Sequence, residues 1–275
     1  MLLFIVPQGL NINIGVLMFR KLLILLTILL SSTAFSETVI LKADNTVSLS
    51  SEVSTASVTI LMLSIQRLNE IKTNDPIYLV LNTPGGSITD GIDFIRFAKT
   101  SRRPINTITI FAASMGFQIV EALPGKRLMA EGGVLMSHRA SVSGIGGQFP
   151  GELNVRVEFY EDIARSLDIG VANRAGITLK QYQDLVHDEY YALPSKAING
   201  KFADAEVAVS CDITLSGTRF DFTQSPFGPI KVELSNCPLI IGVVSAEFTK
   251  KTVLNVDINP TILYTELRKK YGRNL

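Results

Sequence analysis

The chain is poor in the residues that would point to metal, nucleic acid or a membrane-spanning body. Its 275 residues include only two cysteines, Cys211 and Cys237, and only two histidines. Two thiols with no nearby imidazole cannot complete a tetrahedral ligand set, so no metal site is expected. Charged residues make up 19% and the formal net charge is +1. The longest basic run is the triplet Arg268-Lys269-Lys270, and the others are pairs such as Arg102-Arg103 and Lys250-Lys251. A surface that tracks a phosphate backbone is therefore absent, and nucleic acid is not expected as a partner. There is neither an internal repeat nor a low-complexity segment.

The apolar run Leu22–Leu30 is short of the roughly 20 residues needed to cross a bilayer. It follows the basic pair Arg20-Lys21 and precedes the small residues of Ala34-Phe35-Ser36. That order reads as a signal peptide with cleavage after Ser36, the competing reading being a retained membrane anchor. The chain then divides into an upstream segment and signal peptide (1–36), a main domain (37–204) and a β-rich extension (205–275). In an exported chain the even cysteine count favours a Cys211–Cys237 disulfide over two unpaired buried thiols.

Periodicity supplies the elements. Residues 38–50 alternate and read as an opening strand, and Val58, Leu61, Ile65 and Leu68 mark one face of a helix. Ile77–Leu81 is a short apolar strand of the kind buried on both faces of a mostly parallel sheet. A turn at Thr83–Ser87 leads to a helix over 89–99, with Ile92, Ile95, Phe97 and Ala98 inward. A strand over 105–111, a helix from Met115 to Leu123 and a strand ending near His138 come next. The Gly-rich stretch 141–147 reads as a flexible loop. Helices are then expected over 154–166, 179–187 and 262–271, with strands at 206–211 and 230–234. The alternation predicts an α/β fold of strand–helix units wound as a right-handed spiral, with a small C-terminal β appendage.

The chemistry centres on Ser114, where a strand turns into a helix. A serine at a helix start is ordinarily a cap, and Ala112 in place of a first glycine removes the G-x-S-x-G elbow. Its surroundings change the reading. The helix N-terminus favours a developing negative charge. The turn Pro84-Gly85-Gly86-Ser87 can present a backbone N–H close to substrate. With the N–H of Met115 it would form an oxyanion hole. His138 at a strand end is placed to act as a base, while Asp188 alone reads as an ordinary polar residue.

Taken in order, these residues resemble the proteolytic subunit of the Clp protease, a serine-peptidase family of the ClpP/crotonase superfamily. Asn82-Thr-Pro-Gly-Gly-Ser-Ile-Thr89 is similar to the family's N-S-P-G-G-S-V-T. Ala112-Ala-Ser-Met-Gly116 and Gly125-Lys-Arg127 match its A-A-S-M-G and G-K-R, and Met136-Ser-His138 resembles its M-I-H. Asp188-Glu-Tyr-Tyr-Ala-Leu-Pro194 with Gly200 resembles its D-R-F-L-S-A-P…G. The resemblance spans about residues 40 to 204. It implies Ser114 as nucleophile, His138 as general base, Asp188 as the orienting carboxylate, and Gly86 with Met115 as oxyanion donors. It also implies an extended peptide or unfolded chain as substrate, held by Ser87 and Ile88 on one side and Ile145 and Gly146 on the other. No cofactor is implied, and a homo-oligomeric ring is.

Two departures qualify what is implied. The export segment separates the chain from cytosolic ATPases, so an ATP-independent endopeptidase is expected. His187, outside the family pattern, reads as a surface residue. The alternatives are a catalytically inactive oligomeric scaffold, a Ser–Lys dyad enzyme of signal-peptide-peptidase type, and crotonase-type acyl-CoA chemistry. The presence of both His138 and Asp188 speaks against the last two.

Overall fold

The computed structural model describes residues 37–142, 146–148, 151–226 and 228–248. The chain separates into Met1–Ser36 and Glu37–Leu275. The expected signal peptide, Ile145 and the expected helix over 262–271 lie outside the described residues.

The stretch 38–50, expected as one strand, is two: β1 (Thr38–Leu41) and β2 (Thr46–Leu49). Asn45 breaks it, its Oδ1 accepting the Lys42 N–H at 2.8 Å while its own N–H donates to the Lys42 carbonyl at 3.2 Å. Helix α1 (Thr55–Glu70) follows behind a Ser54–Ser57 capping box and buries Val58, Leu61, Ile65 and Leu68, the stripe its spacing predicts. Next come β3 (Ile77–Thr83), α2 (Ile88–Ala98), β4 (Ile105–Ala113), α3 (Met115–Ala122) and β5 (Arg127–Ser137). In α2 the inward set is Gly91, Phe94, Ile95 and Ala98; Phe94 was absent from the expected set, and Ile92 and Phe97 are half-buried.

After the loop come α4 (Gly151–Ala175), α5 (Leu179–Leu185), β6 (Tyr190–Ala192), α6 (Pro194–Asn199) and β7 (Ala205–Cys211). Helix α4 has 25 residues instead of the span 154–166. Only Val171, Ala172 and Ala175 are buried, all in its last turns. A helix that packs along so little of its length carries no apolar stripe, so periodicity could not outline it. Helix α5 ends two residues before the expected His187.

The large sheet runs β1-β7-β5-β4-β3-β2, every neighbouring pair parallel, with β6 antiparallel on β5. Helical crossovers join β2, β3, β4 and β5, the connection that parallel neighbours require. Strand β3 is buried on both faces: Ile77, Leu79 and Leu81 join the core under the helices, while Tyr78 and Val80 face a second core with Val39, Leu41, Ile108 and Val207. Strand β5 bends at Glu131-Gly132-Gly133, with Gly132 at φ +69°. Its first half pairs with β7 and its second half with β6.

Strands β8 (Thr218–Ser225), β9 (Gly228–Ser235) and β10 (Val243–Phe248) form a separate antiparallel sheet in the order β10-β9-β8. Strand β7, grouped with the appendage on sequence, belongs to the large sheet, so the small sheet starts at Thr218 and not at 205. A Cys211–Cys237 disulfide, 26 residues apart in sequence, ties the two sheets together. Closing such a loop contributes roughly 3 kcal/mol in the chain-entropy model. Cys237 is itself core, packed with Leu41 and Leu215. Among the described residues no helix is long and apolar enough to cross a membrane.

Candidate active site

The C-terminal ends of β3, β4 and β5 converge, and the sequence-predicted residues sit there. Ser114 follows β4 directly and its N–H donates to the Met136 carbonyl at 3.0 Å, extending the β4–β5 ladder by one residue. Its backbone then turns sharply, at φ +54° and ψ −117°. An L-residue pays about 1–3 kcal/mol to hold such a conformation. Ser114 makes no side-chain cap bond to α3, and Oγ has no hydrogen bond among the described residues. The serine is therefore strained, half-buried and free of capping work.

The glycine turn lies against it. Val53 N–H donates to the Gly85 carbonyl at 2.7 Å and Ser87 N–H donates to the Val53 carbonyl at 2.8 Å. Alternation along extended backbone therefore aims the Gly86 N–H away from Val53. Neither this N–H nor that of Met115, the first residue of α3, has an acceptor among the described residues. Gly85 seats the turn: its N–H donates to buried Thr83 Oγ1 at 3.1 Å, and a Cβ there would lie 2.6 Å from the Ser114 Cβ and 2.8 Å from the Met115 nitrogen. Two unused donors thus flank an unbonded hydroxyl.

His138 is the residue after β5, two beyond the carbonyl that binds Ser114 N–H, and is half-buried. The β5–β6 register pairs Ser137 with Tyr190, which carries Asp188 to the same end of the sheet. The structure brings the three residues to one edge but does not join them. Among the described residues His138 makes no hydrogen bond to Ser114 or Asp188, and Asp188 Oδ1 is instead 2.6 Å from His187 Nδ1. The pair is exposed, at 61% for the His187 side chain and 92% for Asp188. His187, read as a plain surface residue, is thus the partner of the carboxylate; its adjacency was the available signal. Ser87 Oγ caps α2 by accepting the Asp90 N–H at 3.3 Å, and Ile88 is the first helical residue, so the extended edge available to a peptide ends at Ser87. Gly146 is exposed on the other side, held through its carbonyl by Arg156.

Behind α3 lies an ionic cluster that sequence reasoning missed, buried at Glu121 and Arg127 and open to solvent at Asp204. Arg127 bonds Glu121 Oε2 at 2.8 Å and Asp204 Oδ1 at 2.7 Å. Arg174, from the last turn of α4, donates to the carbonyls of Glu121 at 2.9 Å and Gly125 at 2.7 Å, satisfying the C-terminal end of α3. Among the described residues Glu121 Oε1 has no hydrogen-bond partner. Burial pushes the Glu121 carboxyl up to about 7, outweighing the Arg127 guanidinium that pulls it down. The same guanidinium holds Asp204 below its ordinary value. A raised acid favours the fold below its unfolded value of 4.5, and that stability is lost as pH rises to about 7. The gap corresponds to ~3 kcal/mol. Asp204 acts oppositely and at more acid pH, below the interval from pH 5 to 8 over which the Glu121 contribution is lost. The melting temperature is expected to fall across that interval and Glu121→Gln to flatten the fall, as differential scanning calorimetry would show.

Among the described residues no group of three or more His, Cys, Asp or Glu is placed to hold a metal. The fold is α/β with a mostly parallel sheet, and comparison with known proteins supplies the class. The family model for Clp protease matches residues 31–206. The chain belongs to the Clp protease family, and is a protease by that membership. It is 30% identical over 146 residues to an ATP-dependent Clp protease proteolytic subunit 2 of Cutibacterium acnes, covering 52% of this chain and 68% of that protein. It is 26% identical over 142 residues to the subunit of the same name from a Synechococcus species, covering 50% and 71%. A proteolytic subunit from Streptococcus pyogenes is 28% identical over 130 residues, covering 46% and 66%.

Proposed function

We propose that this protease is of the serine type and acylates through Ser114. The observation that carries the reading is the strained, unbonded serine between two unused amide donors, Gly86 N–H and Met115 N–H. In the step proposed, Ser114 Oγ attacks the scissile carbonyl as His138 takes its proton. The oxyanion is received by the two amides, and His138 returns the proton to the leaving amine. Water, deprotonated by the same imidazole, then releases the acyl group. Asp188 orients His138 once it exchanges its His187 partner for the base; catalytic hydrogen bonds commonly tighten only in the substrate complex.

Export and ATP independence belong to the same proposal. They are supported by the basic, apolar and small-residue order of residues 18–36 and by the disulfide, a bond that persists in oxidising compartments. The relatives' names carry ATP dependence for those proteins; here the export segment argues for peptide or unfolded-chain substrates taken without an unfoldase. Self-association as a ring is supported by α4, which exposes Val155 and Phe159 along its free length. A fluorophosphonate probe followed by mass spectrometry tests the core of the reading. Wild type should gain one adduct at Ser114 and Ser114→Ala none. Folded wild type that no active-site probe labels would overturn the reading in favour of a non-catalytic scaffold.

A further inference from the structure

We propose that Tyr182 is a positioning residue that fixes the nucleophile's helix against the strand end carrying the base; the inference rests on the serine-peptidase reading above. Its hydroxyl lies where the three chemistry-bearing elements meet. It is 2.7 Å from Ser137 Oγ, the residue immediately before His138, with either hydroxyl able to donate. Gln118 Nε2 donates to it at 3.5 Å, from the first turn of α3, and the Gln118 N–H in turn donates to the Ser114 carbonyl at 3.2 Å. Tyr182 itself stands on α5, six residues before Asp188, and its carbonyl accepts the N–H of buried Val186 at 3.1 Å. One phenol therefore touches the element behind each of Ser114, His138 and Asp188.

The ring gives that hydroxyl a fixed address. Tyr182 is 0% exposed and packs on Phe202 with centroids 6.4 Å apart. Phe202 also holds Phe117 of α3 at 5.8 Å and Tyr190 of β6 at 5.3 Å. Burial pushes the phenol's pKa up, so it stays a neutral donor and acceptor. Ser137 is equally buried, at 1% exposure, and stands where the family motif has isoleucine. A buried hydroxyl is costly unless it is paired, and two apolar side chains of similar shape would fill this space without that cost. What the polar pair adds is direction: a hydrogen bond fixes the distance between β5 and α5 more sharply than nonpolar contact does. Displacing a reacting group by about 1 Å can cost 10²-fold in rate.

The test compares fluorophosphonate labelling of Ser114, and kcat and KM on a short fluorogenic peptide, in wild type, Tyr182→Phe, Ser137→Ala and the double variant. Tyr182→Phe orphans the buried Ser137 hydroxyl, and Ser137→Ala leaves the phenol only the 3.5 Å bond from Gln118. Each should lower the melting temperature as well as slow labelling by about ten- to a hundredfold, with kcat reduced and KM little changed. Removing both hydroxyls leaves neither member of the buried pair orphaned, and the half-buried Gln118 amide can turn to solvent, so the double variant should regain melting temperature while labelling stays slow. Labelling that recovers together with stability, or single variants that label at the wild-type rate, would overturn the positioning role and leave the peptidase reading intact. Wild type that does not label overturns both.

Discussion

Alanine at position 85 should slow acylation of Ser114 by a hundredfold or more while the chain still folds. Gly85 has φ +93°, a region that L side chains rarely enter. The added Cβ would meet the Ala113 carbonyl oxygen at 2.6 Å, the Ser114 Cβ at 2.6 Å and the Met115 nitrogen at 2.8 Å. Two of those atoms are backbone and the third is the root of the proposed nucleophile, so no flexible side-chain end can yield. The turn must back away from α3, which pulls the Gly86 and Met115 amides apart. Loss of a single oxyanion donor typically costs 10²–10³ in rate. Gly170→Ala is the control, because a Cβ there, exposed on α4, meets nothing within 4 Å. Labelling rates of the two variants, with circular dichroism to verify folding, decide the matter. Equal rates would show that the Gly85 turn does not shape the reactive site.

The largest stability effect is expected at Arg103, which is 1% exposed. Among the described residues its guanidinium bonds no carboxylate. It donates to the carbonyls of Asp75 at 2.8 Å, Asp44 at 2.9 Å, Leu68 at 3.0 Å and Pro76 at 3.4 Å. These belong to the turn between β1 and β2, the end of α1 and the approach to β3, so one side chain ties three segments. Burial pulls its pKa down, yet guanidinium remains charged in proteins. Arg103→Met keeps the aliphatic stem and removes every donor. At about 1–3 kcal/mol for each buried group left unsatisfied, and with partial relaxation, the expected loss is ~4 kcal/mol. Urea denaturation should show it as a lower midpoint at nearly unchanged slope. Arg103→Lys should fall between, since an ammonium has three donors and no fork.

The parts of the molecule that announce themselves in sequence are those in which the local pattern and the tertiary environment agree. Val58, Leu61, Ile65 and Leu68 keep helical spacing because α1 packs along its whole length. The apolar run Ile77–Leu81 has no alternation because both faces of β3 are covered. Helix α4 was half legible because its first four turns touch little of the core. The break in the opening strand escaped because Asn45 satisfies the strand alternation while its side chain closes a turn. At the site, motif and topology brought Ser114, Gly86 and His138 to one sheet edge. The His187–Asp188 pair, the Tyr182–Ser137 bond and the Glu121–Arg127–Asp204 cluster escaped, because each depends on distances that only the folded chain sets.

Strands β1 and β2 occupy opposite ends of the six-strand path, yet only four residues separate them. The five steps from Leu41 to Thr46 reach at most about 18 Å, so the sheet has to curl until its two ends come within that span. Thr38 then pairs with Ala208 and Leu41 with Cys211, partners 170 positions later in the chain. During synthesis β1 emerges first and waits, unpaired, until nearly all of the large sheet has left the ribosome. Such distant pairing makes for slow maturation and a long exposure of a bare strand edge to neighbouring chains. The cystine at the end of that pairing ties the small sheet to the strand that closes the seam.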